Sequence, residues 1–172
     1  MNTMKEIRIE KLTLNIGAGE AGDKLDKASS LLNAITKKKP IQTKSYKRIP
    51  TLGVRPGLAI GTKVTIRRQS EELLKRLFTA VNNTLKSSRF SENTFSFGVP
   101  EYIDIPGTKY DANIGIIGLE VAVTLERKGY RIKRRRIQTK KIPKAHSISK
   151  EEAIEFVKSK FNIKIEDQND NK

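Results

Sequence analysis

Hydrophobic and polar positions alternate with a period of two in five stretches of the chain and recur at three- and four-residue spacing in three others. The first period marks strands with one buried face, the second amphipathic helices. From Glu6 to Ile16, Ile7 and Ile9 alternate and then Leu12, Leu14 and Ile16 alternate in the opposite phase, which predicts a strand with a bulge near Glu10 and Lys11. Ala21, Leu25, Ala28, Leu32 and Ile35 follow at helical spacing. Pro40 to Ser45 puts Ile41 and Thr43 on one face of a short strand. Lys63 to Arg68 puts Val64 and Ile66 on one face of another, with Thr65 and Arg67 on its opposite face. Ser70 is placed to cap a helix with Glu71 and Glu72 in its first turn, and Leu74, Leu77, Phe78, Val81 and Leu85 give that helix an apolar stripe ending near Lys86.

Ser87 to Asn93 reads as a loop and Thr94 to Val99 as a strand stopped by Pro100. Glu101 to Gly118 is irregular, with a turn at Pro106-Gly107. Leu119 to Glu126 is a strong strand, and past Gly129 the pair Tyr130 and Ile132 resumes its alternation. Ser149 and Glu152 form a capping-box pair for a last helix, 149–161, whose apolar face holds Ala153, Ile154, Phe156, Val157 and Phe161. Residues 166–172 are polar and expected to be disordered.

The stretch between the second and third strand patterns changes this picture most. Tyr46 to Gly61 is a long loop holding Lys47, Arg48, Arg55, two prolines and three glycines. Loops of this length inside a compact chain are more often functional than idle. With little in it to form a core, this one is expected to be mobile.

Charge sharpens the point. The formal net charge is +16 over 172 residues, and it is segregated. Residues 27–70 hold eleven basic and no acidic side chains, residues 127–144 hold ten and none, and the remaining 110 residues are net acidic. Segregation of this kind is the electrostatic footprint of a polyanion partner, so the central stretch reads as a phosphate-backbone reader presented on two strands. The second window, centred on Lys133 to Arg136, grows out of a strand and is followed by a folded element, which argues against a dangling tail.

Catalytic chemistry finds no support. Cysteine is absent, which excludes disulfides, thiolate chemistry and cysteine zinc sites. The lone histidine, His146, is read as an incidental exposed residue in a basic loop, and Glu101, Asp104 and Asp111 as turn and surface carboxylates. Gly57 to Lys63 has Thr62 where a phosphate-binding loop needs lysine. Gly17 to Gly22, GAGEAG between a strand and a helix, matches a dinucleotide fingerprint, but about 20 positions on, where that fingerprint needs a carboxylate, the chain reads KKKPIQTKSYK. The other reading of the glycines is a flexible turn into a helix start, with amides free to face a nucleic-acid phosphate. The N-terminus resembles no signal peptide, and the most apolar run, Ile114 to Leu125, is too short to span a membrane, so a cytosolic protein without cofactor or metal is expected.

Taken together, LNIGAGEAG (14–22), KPIQTKS (39–45), GVRPGLAIGTKVTIR (53–67), FSFGV (95–99) and KYDANIGIIGLEVAVTL (109–125) resemble the large-subunit ribosomal protein L-five family, in family order over nearly the whole chain. GYRIKRRR (129–136) and SKEEAIEFVKSKF (149–161) resemble its archaeal and eukaryotic branch, and the short N-terminus favours the archaeal one. The resemblance implies a single α+β domain over 1–165, an antiparallel sheet covered on one face by helices, with the long basic loop between two strands. It also implies a structural role in the central protuberance of the large subunit, anchoring 5S rRNA. Contacts are implied with large-subunit rRNA, with P-site tRNA through the loop at Tyr46, Lys47, Arg48 and Arg55, with a small-subunit protein at the intersubunit bridge, and with other 5S-associated proteins.

Family positions that touch 5S rRNA match Asn15, Lys38 and Thr65 here, Lys38 standing where glutamine is common. With the polar and basic residues around them, the expected rRNA-binding set is Asn15, Lys37, Lys38, Lys39, Thr43, Lys44, Thr65, Arg67, Arg131, Lys133, Arg134, Arg135 and Arg136. Few aromatics accompany these charges, so affinity is expected from phosphate contacts and specificity from shape.

Overall fold

The protein was analysed as a computed structural model describing residues 2–19 and 22–166. Its frame is a six-stranded antiparallel sheet in the order β2-β3-β1-β7-β6-β5. The strands are β1 (Ile7–Gly17), β2 (Ile41–Lys44), β3 (Ala59–Ile66), β5 (Phe90–Ser91), β6 (Thr94–Val99) and β7 (Leu119–Arg127). Helices α1 (Asp23–Thr36), α2 (Ser70–Thr79) and α4 (Lys150–Phe161) cover one face, and a one-turn helix α3 (Arg131–Arg134) follows β7. Two further strands, β4 (Thr84–Lys86) and β8 (Lys164–Glu166), pair in parallel apart from the main sheet. Glu166, expected in the polar tail, ends β8, and residues 167–172 lie outside the described residues. This is the α+β architecture expected, with helices on one side only.

Alternation explains the layering. Leu12, Leu14, Ile16, Val64, Ile66, Val121, Val123, Leu125, Phe95 and Phe97 all point to the helical side and are buried. Against them pack Leu31, Leu32 and Ile35 of α1, Leu74, Leu77 and Phe78 of α2 and Val157 of α4. Phe78 stacks on Phe97 with ring centroids 5.2 Å apart and meets Phe161 of α4 edge-on at 5.3 Å. The predicted break in β1 is present, since the register against β7 shifts between Ile9 and Lys11.

Several local expectations change. Ser70 does not cap α2; it is the first helical residue and buried, and Gln69 precedes it in the left-handed region at φ 55°. The stripe through Val81 and Leu85 is not one helix. α2 stops at Thr79 because Asn82 and Asn83 both adopt left-handed backbone, and Leu85 reaches the core from β4 instead. Ser87 to Asn93 contains a short hairpin strand, β5, rather than loop alone. Past Gly129, at φ 96°, the chain coils into α3 instead of resuming a strand.

The loop after β2 is shorter than expected, because β3 begins at Ala59 and Gly61 lies within it, paired with both Gly17 and Thr43. A Cβ at Gly61 would sit 2.9 Å from the Ile16 carbonyl oxygen and 3.0 Å from Thr43 Oγ1. The first of these is backbone and cannot yield, so Gly61→Ala is expected to destabilise the domain by about 1–3 kcal/mol. A urea midpoint unchanged from the parent would refute that reading of the strand crossing.

Candidate nucleic-acid interface

Because successive side chains on a strand alternate, the face of the sheet away from the helices is set by the same register that builds the core. One row across it runs Ile41, Lys63, Asn15, Glu120 and Gly98, and the next runs Thr65, Thr13, Ala122 and Ser96. Thr43 and the glycine pair Gly61 and Gly17 form the row on the other side. Nothing covers this face among the described residues. Most of its side chains are small or polar, and Ile41 stands 65% exposed on the edge strand.

Charge is graded across it. Lys63 lies on the β2–β3–β1 side and Glu120 on the β7 side, with Asn15 between them donating its amide to Glu120 Oε2 at 3.2 Å. A polyanion therefore meets attraction over β1, β3 and β2 and repulsion over β7.

Of the expected residues, Asn15, Thr43 and Thr65 share this face. Lys37, Lys38 and Lys39 form the turn from α1 into β2 beside it, Lys37 closing the helix in left-handed backbone with its N–H on Asn33 O at 2.8 Å. Lys44 ends β2, and Arg67 is exposed just past β3. Lys63 was not among the expected contacts, yet it lies on this face between Ile41 and Asn15. Its parity with Thr65 and Arg67 in KVTIR was the available signal.

The long loop leaves this face at the Gly17–Gly61 end. Tyr46, Lys47, Arg48 and Arg55 are all exposed, Tyr46 at 95%. The loop is folded on itself: Ile49 and Val54 exchange both backbone hydrogen bonds around a one-turn 3-10 helix at Pro50–Leu52, and Ser45 O accepts from Gly57 N–H at 2.8 Å. Val54 within it is buried, only 4% exposed.

The second basic window sits at the end of the sheet away from the long loop, the end where Arg67 also leaves β3. Here Arg134 departs from its neighbours. Its guanidinium pairs with Glu10 and with the buried Glu126, which also holds Arg8, so Arg134 ties α3 to the sheet. Arg135 donates to Gln138 O at 2.8 Å, closing the following turn. Arg131, Lys133 and Arg136 are exposed, without ion-pair partners among the described residues. His146 is not exposed as expected: it is half-buried beside the Tyr130 ring, and its Nε2–H donates to the Lys128 carbonyl at 2.9 Å. Tyr130 donates to His146 O at 3.0 Å, and burial pushes its phenol up, so it keeps its proton at neutral pH.

The chain as a whole has counterparts among known proteins. A family model described as "Ribosomal protein L5" matches residues 2–55, and a second model, for the C-terminus of the same ribosomal family, matches residues 59–156. The chain is 50% identical to the large ribosomal subunit protein uL5 of Nanoarchaeum equitans over 164 residues, covering 94% of this chain and 97% of the relative. It is 48% identical to uL5 of Sulfurisphaera tokodaii over 168 residues, 96% of this chain and 95% of that one. With uL5 of Methanosphaera stadtmanae the identity is 42% over 168 residues, 96% of this chain and 100% of the relative. The chain belongs to the ribosomal protein L5 family.

L5 membership, of the archaeal type, makes it a structural, non-enzymatic constituent of the large subunit of cytoplasmic ribosomes. For an L5 protein the glycines of GAGEAG make the exit from β1 into α1, which Gly22 caps without a side chain; Glu20 and Ala21 lie outside the described residues. Among the described residues no helix is long and apolar enough to cross a membrane, and no carboxylate–histidine cluster could hold a metal.

Proposed function

We propose that the open sheet face binds 5S rRNA and anchors it in the central protuberance. The observation that carries this is the register row placing Lys63 and Asn15 side by side, flanked by Thr65 and Thr43 and by the lysine turn 37–39. Small polar side chains on an open sheet face let an RNA backbone approach closely. Lys63 and the turn supply phosphate contacts, while Asn15 and the threonines offer hydrogen bonds to phosphate, ribose hydroxyls or base edges. Arg131, Lys133 and Arg136 contact large-subunit rRNA in this reading, and Arg134 positions them rather than binding RNA itself. The folded loop carrying Tyr46, Lys47, Arg48 and Arg55 reaches the P-site tRNA. A small-subunit protein at the intersubunit bridge and other 5S-associated proteins complete the partners.

The test is competition binding of the purified protein to 5S rRNA against a tRNA of similar charge across a salt series. Preference for 5S rRNA is expected to survive raised salt, and the variant Lys47→Ala, Arg48→Ala, Arg55→Ala is expected to keep it. Equal binding that collapses together as salt rises would leave only a generic basic RNA chaperone. Loss of 5S rRNA binding by the loop variant would sink the division between face and loop.

A further inference from the structure

A cleft of about 630 Å³ opens between the β5–β6 turn and the basic extension after β7. That is within the ~300–1,000 Å³ range of sites that enclose a small ligand. Its walls carry Lys133, Lys140 and Lys141 and no carboxylate. Among the described residues none of the three lysines has an ion-pair partner, in contrast to Arg127, Lys128 and Arg134 close by, which are all paired. Three unpaired lysines lining one concave surface favour an anion that the fold does not supply.

The cleft is built rather than accidental. Asn93, in left-handed backbone at the β5–β6 turn, latches the two walls together: Oδ1 accepts from Ile148 N–H at 3.0 Å and Nδ2 donates to Ser147 Oγ at 3.2 Å. The far wall is closed by Lys140 N–H on Ile132 O at 3.2 Å and by the Arg135–Gln138 turn. Inside, the Thr139 hydroxyl makes no hydrogen bond to the described residues and the Ser147 hydroxyl lines the same wall, so neutral polar groups stand beside the three charges.

We propose that this cleft takes one unpaired RNA nucleotide turned out of its helix, its phosphate met by Lys133, Lys140 and Lys141 and its base by Thr139, Ser147 and Asn93. A paired A-form helix presents a broad surface that a cleft of this size cannot admit, whereas bulged or looped nucleotides are what proteins take into such sites. The site is independent of the sheet face. It lies where β7 ends, with Leu125 N–H on Asn93 O at 2.7 Å, while the long loop leaves the other end of the 11-residue β1. Leu125 lies five residues along β7 from Glu120 of the sheet-face row, so at ~3.3 Å per residue the two sites are about 17 Å apart along the strand, and the chain grips RNA at two places. The inference rests on the reading of the chain as an RNA binder, but not on the sheet face being the 5S site.

The experiment uses the full chain with two RNA hairpins identical except for one bulged 2-aminopurine, read by affinity and by 2-aminopurine fluorescence. The bulged hairpin is expected to bind about tenfold more tightly, the scale of one nucleotide's contacts, with a fluorescence change on binding. Lys140→Ala with Lys141→Ala is expected to remove the preference, and Thr139→Val to reduce it without weakening binding of the paired hairpin. Lys63→Glu is expected to leave the preference intact. Equal affinity for the two hairpins, or a preference that persists in the lysine variant, overturns the proposal. Displacement of the bulged hairpin by a poly-glutamate peptide at comparable concentration overturns it in favour of an acidic protein partner. If 5S rRNA selectivity survives while the bulge preference is missing, this inference alone fails; the reverse pattern removes the sheet-face reading and leaves the cleft.

Discussion

Glu152→Gln is expected to lower the stability of the whole domain by about 2–3 kcal/mol, below the ~3–5 kcal/mol of a fully buried broken pair because one partner is half-exposed. Glu152 joins two devices. Its carboxylate accepts from the Ser149 backbone N–H at 3.0 Å, closing the capping box of α4, and also takes Arg127 Nη2 at 2.6 Å. Arg127 is only 5% exposed, and its Nε already lacks a hydrogen-bond partner among the described residues. Loss of the carboxylate charge leaves a guanidinium out of water with nothing to neutralise it.

Glutamine can still serve the capping box, so this variant isolates the charge. Ser149→Ala breaks the cap and keeps the pair, and is expected to cost about 1 kcal/mol. Adding Arg127→Met to Glu152→Gln is expected to recover most of the loss, since the stranded charge is gone. Urea midpoints with unchanged slopes measure all three. A larger loss for Ser149→Ala than for Glu152→Gln would show that the cap, not the pair, holds the last helix.

The pH dependence follows the same group. The Ser149 N–H, and after it the Arg127 charge, hold the Glu152 carboxyl below the usual carboxylate range, partial burial acting the other way. A group whose folded pKa lies below its unfolded one contributes its full stabilisation above the unfolded value. That contribution is lost as pH falls through the folded one. The parent should therefore lose stability on acidification through the pH 4 region more steeply than Glu152→Gln does.

What the sequence disclosed, and what it hid, divides by how local the cause is. The phase change between Ile9 and Leu12 announced the bulge in β1, and Ser149 with Glu152 announced the cap of α4, because each is a relation between near neighbours. Thr65 and Arg67 opposite Val64 and Ile66 marked the two faces of β3 for the same reason. The end of α2 was hidden because Val81 and Leu85 keep helical spacing while two asparagines turn the backbone, and both residues still reach the core by another path. Arg134 read as one more cation in a basic run. Its partners, Glu10 and Glu126, are set by the β1–β7 pairing and by the turn at Gly129, which no local pattern shows. His146 and Asn93 became structural for similar reasons, each reaching a segment remote in sequence or across a turn.

Lys63→Glu is expected to weaken 5S rRNA binding about 10–100-fold, the size of one to two lost charge-assisted contacts. Lys63 sits in the row between Ile41 and Asn15, on the attractive side of the face, and its side chain is exposed. In the proposed complex, reversing its charge would remove a phosphate partner and extend the repulsion of Glu120 across β1 and β3. The slope of log affinity against log salt should flatten by about 1 to 2 as counterion release falls. Stability should move by no more than about 0.5 kcal/mol, since no described contact of the fold uses this ammonium group.

Ser96→Asp, half the charge change of Lys63→Glu and placed on β6 two strands from β1, is expected to lower log affinity by much less than half as much. A loss in log affinity half that of Lys63→Glu, in proportion to the charge changed, would mean that RNA responds to net charge alone and that the face has no oriented site. A loss confined to Lys63 would locate the RNA over β2, β3 and β1, where the gradient of charge across the sheet directs it.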